Sequence, residues 1–201
     1  MTTSHFPPVC WQRMSEAVDQ VHRRLLEAAD CLRHAGVPYA VVGGNAVAAW
    51  VSRVDEAAVR NTRDVDILLR REDLPLAISA MAVAGFSHRR VASLGGGSMD
   101  VFLKMPDGKV RDAIHVLFAN EYVRPEAMEP SASVEEAEDA GDFRLIALPA
   151  LIRMKLTAWR DKDRMHLRDL HSVGLLDPAT LTHLLPALAE RLAFILENPE
   201  D

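Results

Sequence analysis

Apolar residues recur at helical spacing through Val18, Val21, Leu25, Leu26, Ala29 and Leu32, which predicts a helix over 14–35 that stops at Gly36-Val37-Pro38. The next run, Tyr39-Ala40-Val41-Val42, is continuously apolar and short, as in a buried strand. Gly43-Gly44-Asn45 then opens the small-residue run from Ala46 to Val51, suited to a helix lying close on a sheet. After a polar stretch from Ser52 to Arg63, carboxylates interleave with apolar residues in Asp64-Val65-Asp66-Ile67-Leu68-Leu69, the pattern of a strand with one polar face. Helical period returns over 72–84, and Phe86 to Val91, Met99 to Met105 and Lys109 to Phe118 predict antiparallel strands, the last two joined by a Pro106-Asp107-Gly108 turn.

Beyond the strands, the stretch from Glu121 to Asp142 is acidic and carries Pro125 and Pro130, which predicts a surface connection between two lobes. Leu148 to Trp159, Asp163 to Val173 and two runs between Pro178 and Leu196 are helix-like, punctuated by Gly174 and Pro186. The expected class is therefore α+β, a mixed sheet with flanking helices plus a carboxy-terminal helical lobe. The divisions fall at 1–36 for an amino-terminal helical segment, 37–120 for the sheet core, 121–142 for the acidic connection and 143–201 for the lobe.

With 49% hydrophobic and 26% charged residues in 201, the chain has the composition of a folded domain rather than a disordered one. A net charge of −6 excludes a protein that binds nucleic acid over its whole surface. Yet Arg153, Lys155, Arg160, Lys162, Arg164 and Arg168 concentrate basic charge in one helical region. Cys10 and Cys31 match neither a disulfide framework nor a zinc spacing. No signal-peptide pattern or membrane-length apolar run is present, so a cytoplasmic protein with no membrane partner is expected.

Paired glycines after a strand let backbone approach a ligand without Cβ interference, and the helix that follows aims its amides at an anion. Residues two apart on a strand share a face, so Asp64 and Asp66 point the same way while Val65 and Ile67 point into the core. Two carboxylates side by side repel unless a cation joins them, and oxygen donors suit Mg²⁺ or Mn²⁺ that also holds phosphate oxygens. The chemistry indicated is metal-assisted phosphoryl or nucleotidyl transfer. No serine sits in a nucleophile-elbow context, which leaves hydrolase chemistry without support.

Gly43-Gly44 followed by Arg60-x-Thr62-x-Asp64-x-Asp66, in the order strand, turn, helix, strand, resembles the polymerase β-like nucleotidyltransferase superfamily. The later segments Met154-Lys155-Leu156, Arg160-Asp161-Lys162-Asp163 and His166-Leu167-Arg168-Asp169 are similar to the carboxy-terminal signature of the abortive-infection type nucleotidyltransferase toxins. The resemblance implies that Asp64 and Asp66 hold a Mg²⁺ or Mn²⁺ ion. It further implies a nucleoside triphosphate at Gly43, Gly44, Asn45, Arg60, Thr62, Lys155 and Lys162, with Asp163 completing the site. It also implies a third acidic residue on a neighbouring strand, where this chain has His115, and a second late aspartate, where it has His166. Asp112 is the other acidic residue nearby, but strand alternation places it opposite His115.

The expected activity is transfer of a nucleoside monophosphate from a triphosphate to an acceptor, either tRNA or another RNA, or a small molecule. His115 or Asp163 would orient or deprotonate that acceptor. An antitoxin is the partner the toxin resemblance implies. The alternative is a nucleotide-binding protein that keeps the fold without turnover because His115 stands where a carboxylate is expected.

Overall fold

Alternation along apolar strands leaves two sheet faces to be covered, and helices cover both in this chain. The computed structural model describes residues 9–92, 97–106, 108–109, 112–177, 179 and 184–200. Its strands are β1 (Tyr39–Val42), β2 (Val65–Leu69), β3 (Phe86–Ala92), β4 (Ser98–Lys104), β5 (Ile114–Phe118), β6 (Ala137–Asp139) and β7 (Arg144–Ile146). They form one sheet in the order β3-β4-β5-β2-β1-β7-β6, parallel between β2 and β5 and between β1 and β7, antiparallel elsewhere. The helices are α1 (Trp11–His34), α2 (Gly43–Ser52), α3 (Leu74–Val83), α4 (Leu148–Ala158), α5 (Asp161–Ser172) and α6 (Pro186–Glu197).

The α+β class expected from the sequence is the architecture found. Val65, Ile67 and Leu69 of β2 pack with Leu25, Ala29 and Leu32 of α1 and Met81 of α3 on one face. Leu68 turns the other way and joins Ala40, Val42 and the apolar sides of α2, α4, α5 and α6. The buried positions of α1 begin only at Val21, so its first turns run past the core. Pro186, expected as punctuation between helices, opens α6, where its fixed φ suits the first turn and its missing N–H costs nothing.

Three local expectations are corrected. The strand predicted from Lys109 spans only Ile114–Phe118. The acidic connection is exposed over 122–126, but it then buries Ser131, Ala132 and Val134 and supplies β6. Leu145 and Ile146 of β7 lie in the same core cluster as Leu151, Ile152 and Leu156 of α4, so the carboxy-terminal helices pack directly on the sheet. Strands of three residues such as Ala137–Asp139 and Arg144–Ile146 are too short to carry an alternation signal. Parts of the expected Pro106-Asp107-Gly108 turn and of the first helical run after Pro178 lie outside the described residues. Among the described residues no helix is long and apolar enough to cross a membrane.

Leu151 is fully buried where α4 meets the sheet. Leu151→Ala is expected to lower unfolding stability by about 2–5 kcal/mol, the range for a large buried aliphatic cut back to alanine. Urea denaturation measures it, and an unchanged midpoint would contradict a shared core.

Candidate active site

The end of β1 is where the local chemistry gathers. Val42 pairs with Asp66 across the antiparallel β1–β2 register, and Asp66 pairs with His115 across the parallel β2–β5 register. Strand β1 then passes directly into α2 at Gly43, which has a φ of +70°. A Cβ on Gly43 would lie 2.0 Å from Asp66 Oδ2, so glycine is required both by the backbone and by the carboxylate packed against it. Gly44 faces Thr62, whose Oγ1 would lie 2.8 Å from an added Cβ. The glycine pair thus makes room for the loop and strand that carry the carboxylates.

Asn45 is buried and its side-chain amide donates to the Asp64 carbonyl at 2.6 Å. The structure therefore gives it a positioning task, holding the start of β2 against α2. Asp64 stays 42% exposed, with Lys162 Nζ at 4.0 Å from its Oδ2. Asp66 is 19% exposed, and its Oδ1 lies 3.2 Å from His115 Nδ1. That hydrogen bond raises the His115 pKa above the ordinary imidazole value, against the opposing effect of burial. Asp112 precedes β5 rather than lying on it. Asp100 is buried on β4 opposite Val116, on the other sheet face from His115, and is bound there by His88 and Arg90.

Helices α4 and α5 bring cations to this end of the sheet. Lys155 Nζ donates to Asp163 Oδ1 at 3.1 Å, and Arg160 Nε donates to Asp163 Oδ2 at 2.6 Å. Burial works to raise the Asp163 carboxyl, but the Arg160 hydrogen bonds and the Lys155 charge prevail and hold it below the usual range. Burial pushes the Lys155 ammonium below its ordinary value despite Asp163. The Asp66 charge acts on both Lys155 and Arg160. His166, on the same helix as Asp163, has a buried Nδ1 with no hydrogen-bond partner, and burial together with the Lys155 charge lowers its pKa to about 4.

The structure thus brings Gly43, Gly44, Thr62, Asp64, Asp66, His115, Lys155 and Lys162 to one end of the molecule. Asp163 is there too, fully buried, with its carboxylate shared between Lys155 and Arg160 and no exposed surface. Arg60 is drawn away to α5, where its guanidinium binds the Asp169 carboxylate at 3.0 Å. Arg160 is the residue that the sequence reading passed over as one basic residue among several. Its three-residue spacing from Asp163, just ahead of a helix, was the available signal. Among the described residues no group of three or more His, Cys, Asp or Glu is gathered to hold a metal ion by itself.

Gly43→Ala is expected to displace Asp66 and strain the backbone, lowering stability by about 1–3 kcal/mol. Gly44→Ala should be milder and partly rescued by Thr62→Ala, which removes the nearest atom; melting curves of the single and double variants test both. Asp163→Ala leaves Lys155 buried beside Arg160 without an anion, and a loss of about 3–5 kcal/mol is expected by chemical denaturation. A loss under 1 kcal/mol would show that the cations find other partners.

No known family model and no curated protein sequence matches the chain. Solved structures do match. The antibiotic-resistance factor ANT(2'')-Ia in solution aligns at 15% identity over 92% of this chain and 93% of that one, with a TM-score of 0.50. The same factor in complex with adenylyl-2''-tobramycin aligns at 17% identity over 90% and 97%, with a TM-score of 0.50. An antigenic nucleotidyltransferase-like protein from Paracoccidioides brasiliensis aligns at 17% identity over 90% of both chains, with a TM-score of 0.52. Identities this low speak to architecture, and on that evidence this chain has the mixed-sheet α+β fold seen in nucleotidyltransferases.

Proposed function

We propose that this protein is a metal-dependent nucleotidyltransferase. The observation that carries the reading is the meeting of two charge sets at one sheet end: the Asp66 carboxylate packed on Gly43 and within the field of the Lys155–Arg160 pair anchored by Asp163, with Asp64 beside Lys162. A nucleoside triphosphate needs both, because its phosphates are drawn to fixed cations while a divalent ion joins them to carboxylates. The fold likeness supports the reading, since one neighbouring structure contains an adenylylated tobramycin.

Asp66 on β2 and Asp64 just ahead of that strand offer hard oxygen donors, the kind that suits Mg²⁺ or Mn²⁺ once phosphate oxygens are added. When bound, such an ion would neutralise phosphate charge and polarise the phosphorus centre. The chain's own residues do the rest. Lys155 and Arg160 meet phosphate charge, Gly43 and Gly44 let Asp66 and Thr62 pack against the start of α2, and Lys162 stands by Asp64 at the exposed rim. An acceptor hydroxyl attacks the α-phosphorus as its proton passes to solvent water, the bond from the α-phosphorus to the oxygen bridging the β-phosphorus breaks, and pyrophosphate leaves with that oxygen. The cations fixed before the reaction lower the cost of moving charge onto pyrophosphate.

Exposed Arg63 and half-exposed Lys162 make the rim cationic in an otherwise acidic protein. That rim favours a polyanionic acceptor, an RNA, over an amine-rich drug such as tobramycin. A second reading, nucleotide binding without turnover, is favoured by one observation: His115 stands beside Asp66 where the resemblance implies a carboxylate.

The test is incubation with each α-labelled nucleoside triphosphate, Mg²⁺ or Mn²⁺, and either cellular RNA or tobramycin. Label is expected in RNA, reduced at least about 100-fold by Asp64→Asn or Asp66→Asn. Nucleotide binding with no label in any acceptor would establish the non-catalytic reading instead.

A further inference from the structure

His115 has two nitrogens and one close partner, and its place is set by the backbone. Register aligns it with Asp66 on the parallel β2–β5 pair, and both side chains keep 19% exposure. The separation between Nδ1 and Asp66 Oδ1 is 3.2 Å. A shared proton suits that distance, but so does a shared ion. Two donor atoms bound side by side to one metal at roughly 2.1 Å each lie about 3 Å apart, so the side chains already hold the spacing of neighbouring ligands. Gly43 closes the other side of Asp66, with the position of a would-be Cβ 2.0 Å from Oδ2, so the carboxylate has little freedom to turn away from His115. Asp64, two residues earlier and 42% exposed, lies at the rim beside Lys162 and is not gathered with this pair.

An imidazole nitrogen in place of a carboxylate oxygen changes which ions are held. Mg²⁺ prefers oxygen donors, whereas imidazole suits transition-metal dications, whose affinity for nitrogen sites rises from Mn²⁺ onward. We infer that His115 is a metal ligand through Nδ1, beside Asp66, and that the centre therefore selects a transition-metal dication such as Mn²⁺ over Mg²⁺. This rests on the nucleotidyl-transfer reading and names the class of ion that reading uses. Because no trio of protein donors is gathered among the described residues, phosphate oxygens complete the set, and the ion binds more tightly in the presence of nucleotide.

The experiment is Mn²⁺ binding to the full chain, with and without α,β-methylene-ATP, followed by the free-Mn²⁺ electron paramagnetic resonance signal. Pulsed measurements on the bound ion then look for nitrogen hyperfine coupling, and Mg²⁺ competition gives the preference. Bound Mn²⁺ is expected to show nitrogen coupling in the wild type and in His166→Gln, and to lose it in His115→Asp and His115→Gln. His115→Asp should also narrow the preference for Mn²⁺ over Mg²⁺ by about tenfold or more. Should His115→Asp fail to melt cooperatively, His115→Gln carries the comparison. Bound Mn²⁺ without nitrogen coupling, or coupling that survives both His115 substitutions, overturns the assignment. If label transfer proceeds with such a nitrogen-free ion, nucleotidyl transfer stands and only His115 as ligand falls. Absence of Mn²⁺ binding with and without nucleotide removes both this assignment and the metal dependence proposed above.

Discussion

The carboxylate of Asp66 packs so closely on Gly43 that no side chain fits between them, and this contact ties the end of one strand to the start of the helix leaving its neighbour. Antiparallel pairing of Val42 with Asp66 brings the two together, and parallel pairing adds His115 on the other side. A one-residue slip in either register would send Asp66 to the opposite face, against Leu25, Ala29, Leu32 and Met81, where an ionised group would lie in an apolar core. Core packing and placement of the polar groups are therefore one constraint. The apolar faces of β2 hold the register, and the register aims the carboxylate.

Set against these anions is a cluster that is costly in isolation. Burying Lys155 and Asp163 removes both from water, and such pairs often contribute little net stability compared with apolar residues of similar size. Here Asp163 also receives Arg160, so a single buried anion holds two cations in place. Orientation is the gain: Asp163 holds Lys155 and Arg160 in fixed positions from which both feel the Asp66 charge.

Much of this was legible from local pattern. Helical spacing placed α1, alternation placed β2 with its polar and apolar faces, and the glycines marked the turn from β1 into α2, because each signal lies within a few neighbouring residues. The three-residue strands β6 and β7 were not legible, since β7 pairs with β1, about a hundred positions earlier in the chain, and β6 pairs with β7 alone.

The side-chain assignments divide along the same line. Sequence by itself determined which residue types stand at the strand end and that Asp66 and Leu68 share a face, because backbone geometry enforces a two-residue period. Tertiary structure decided which partner each polar group meets: Asn45 with the Asp64 carbonyl, Arg60 with Asp169, Asp163 with Lys155 and Arg160, and His115 with Asp66. Except for Arg160 and Asp163, these partners are separated by between 8 and 109 positions along the chain. Hydrogen bonds and ion pairs act over a few ångströms of space, and only the packed sheet and helices determine which distant residues come that close.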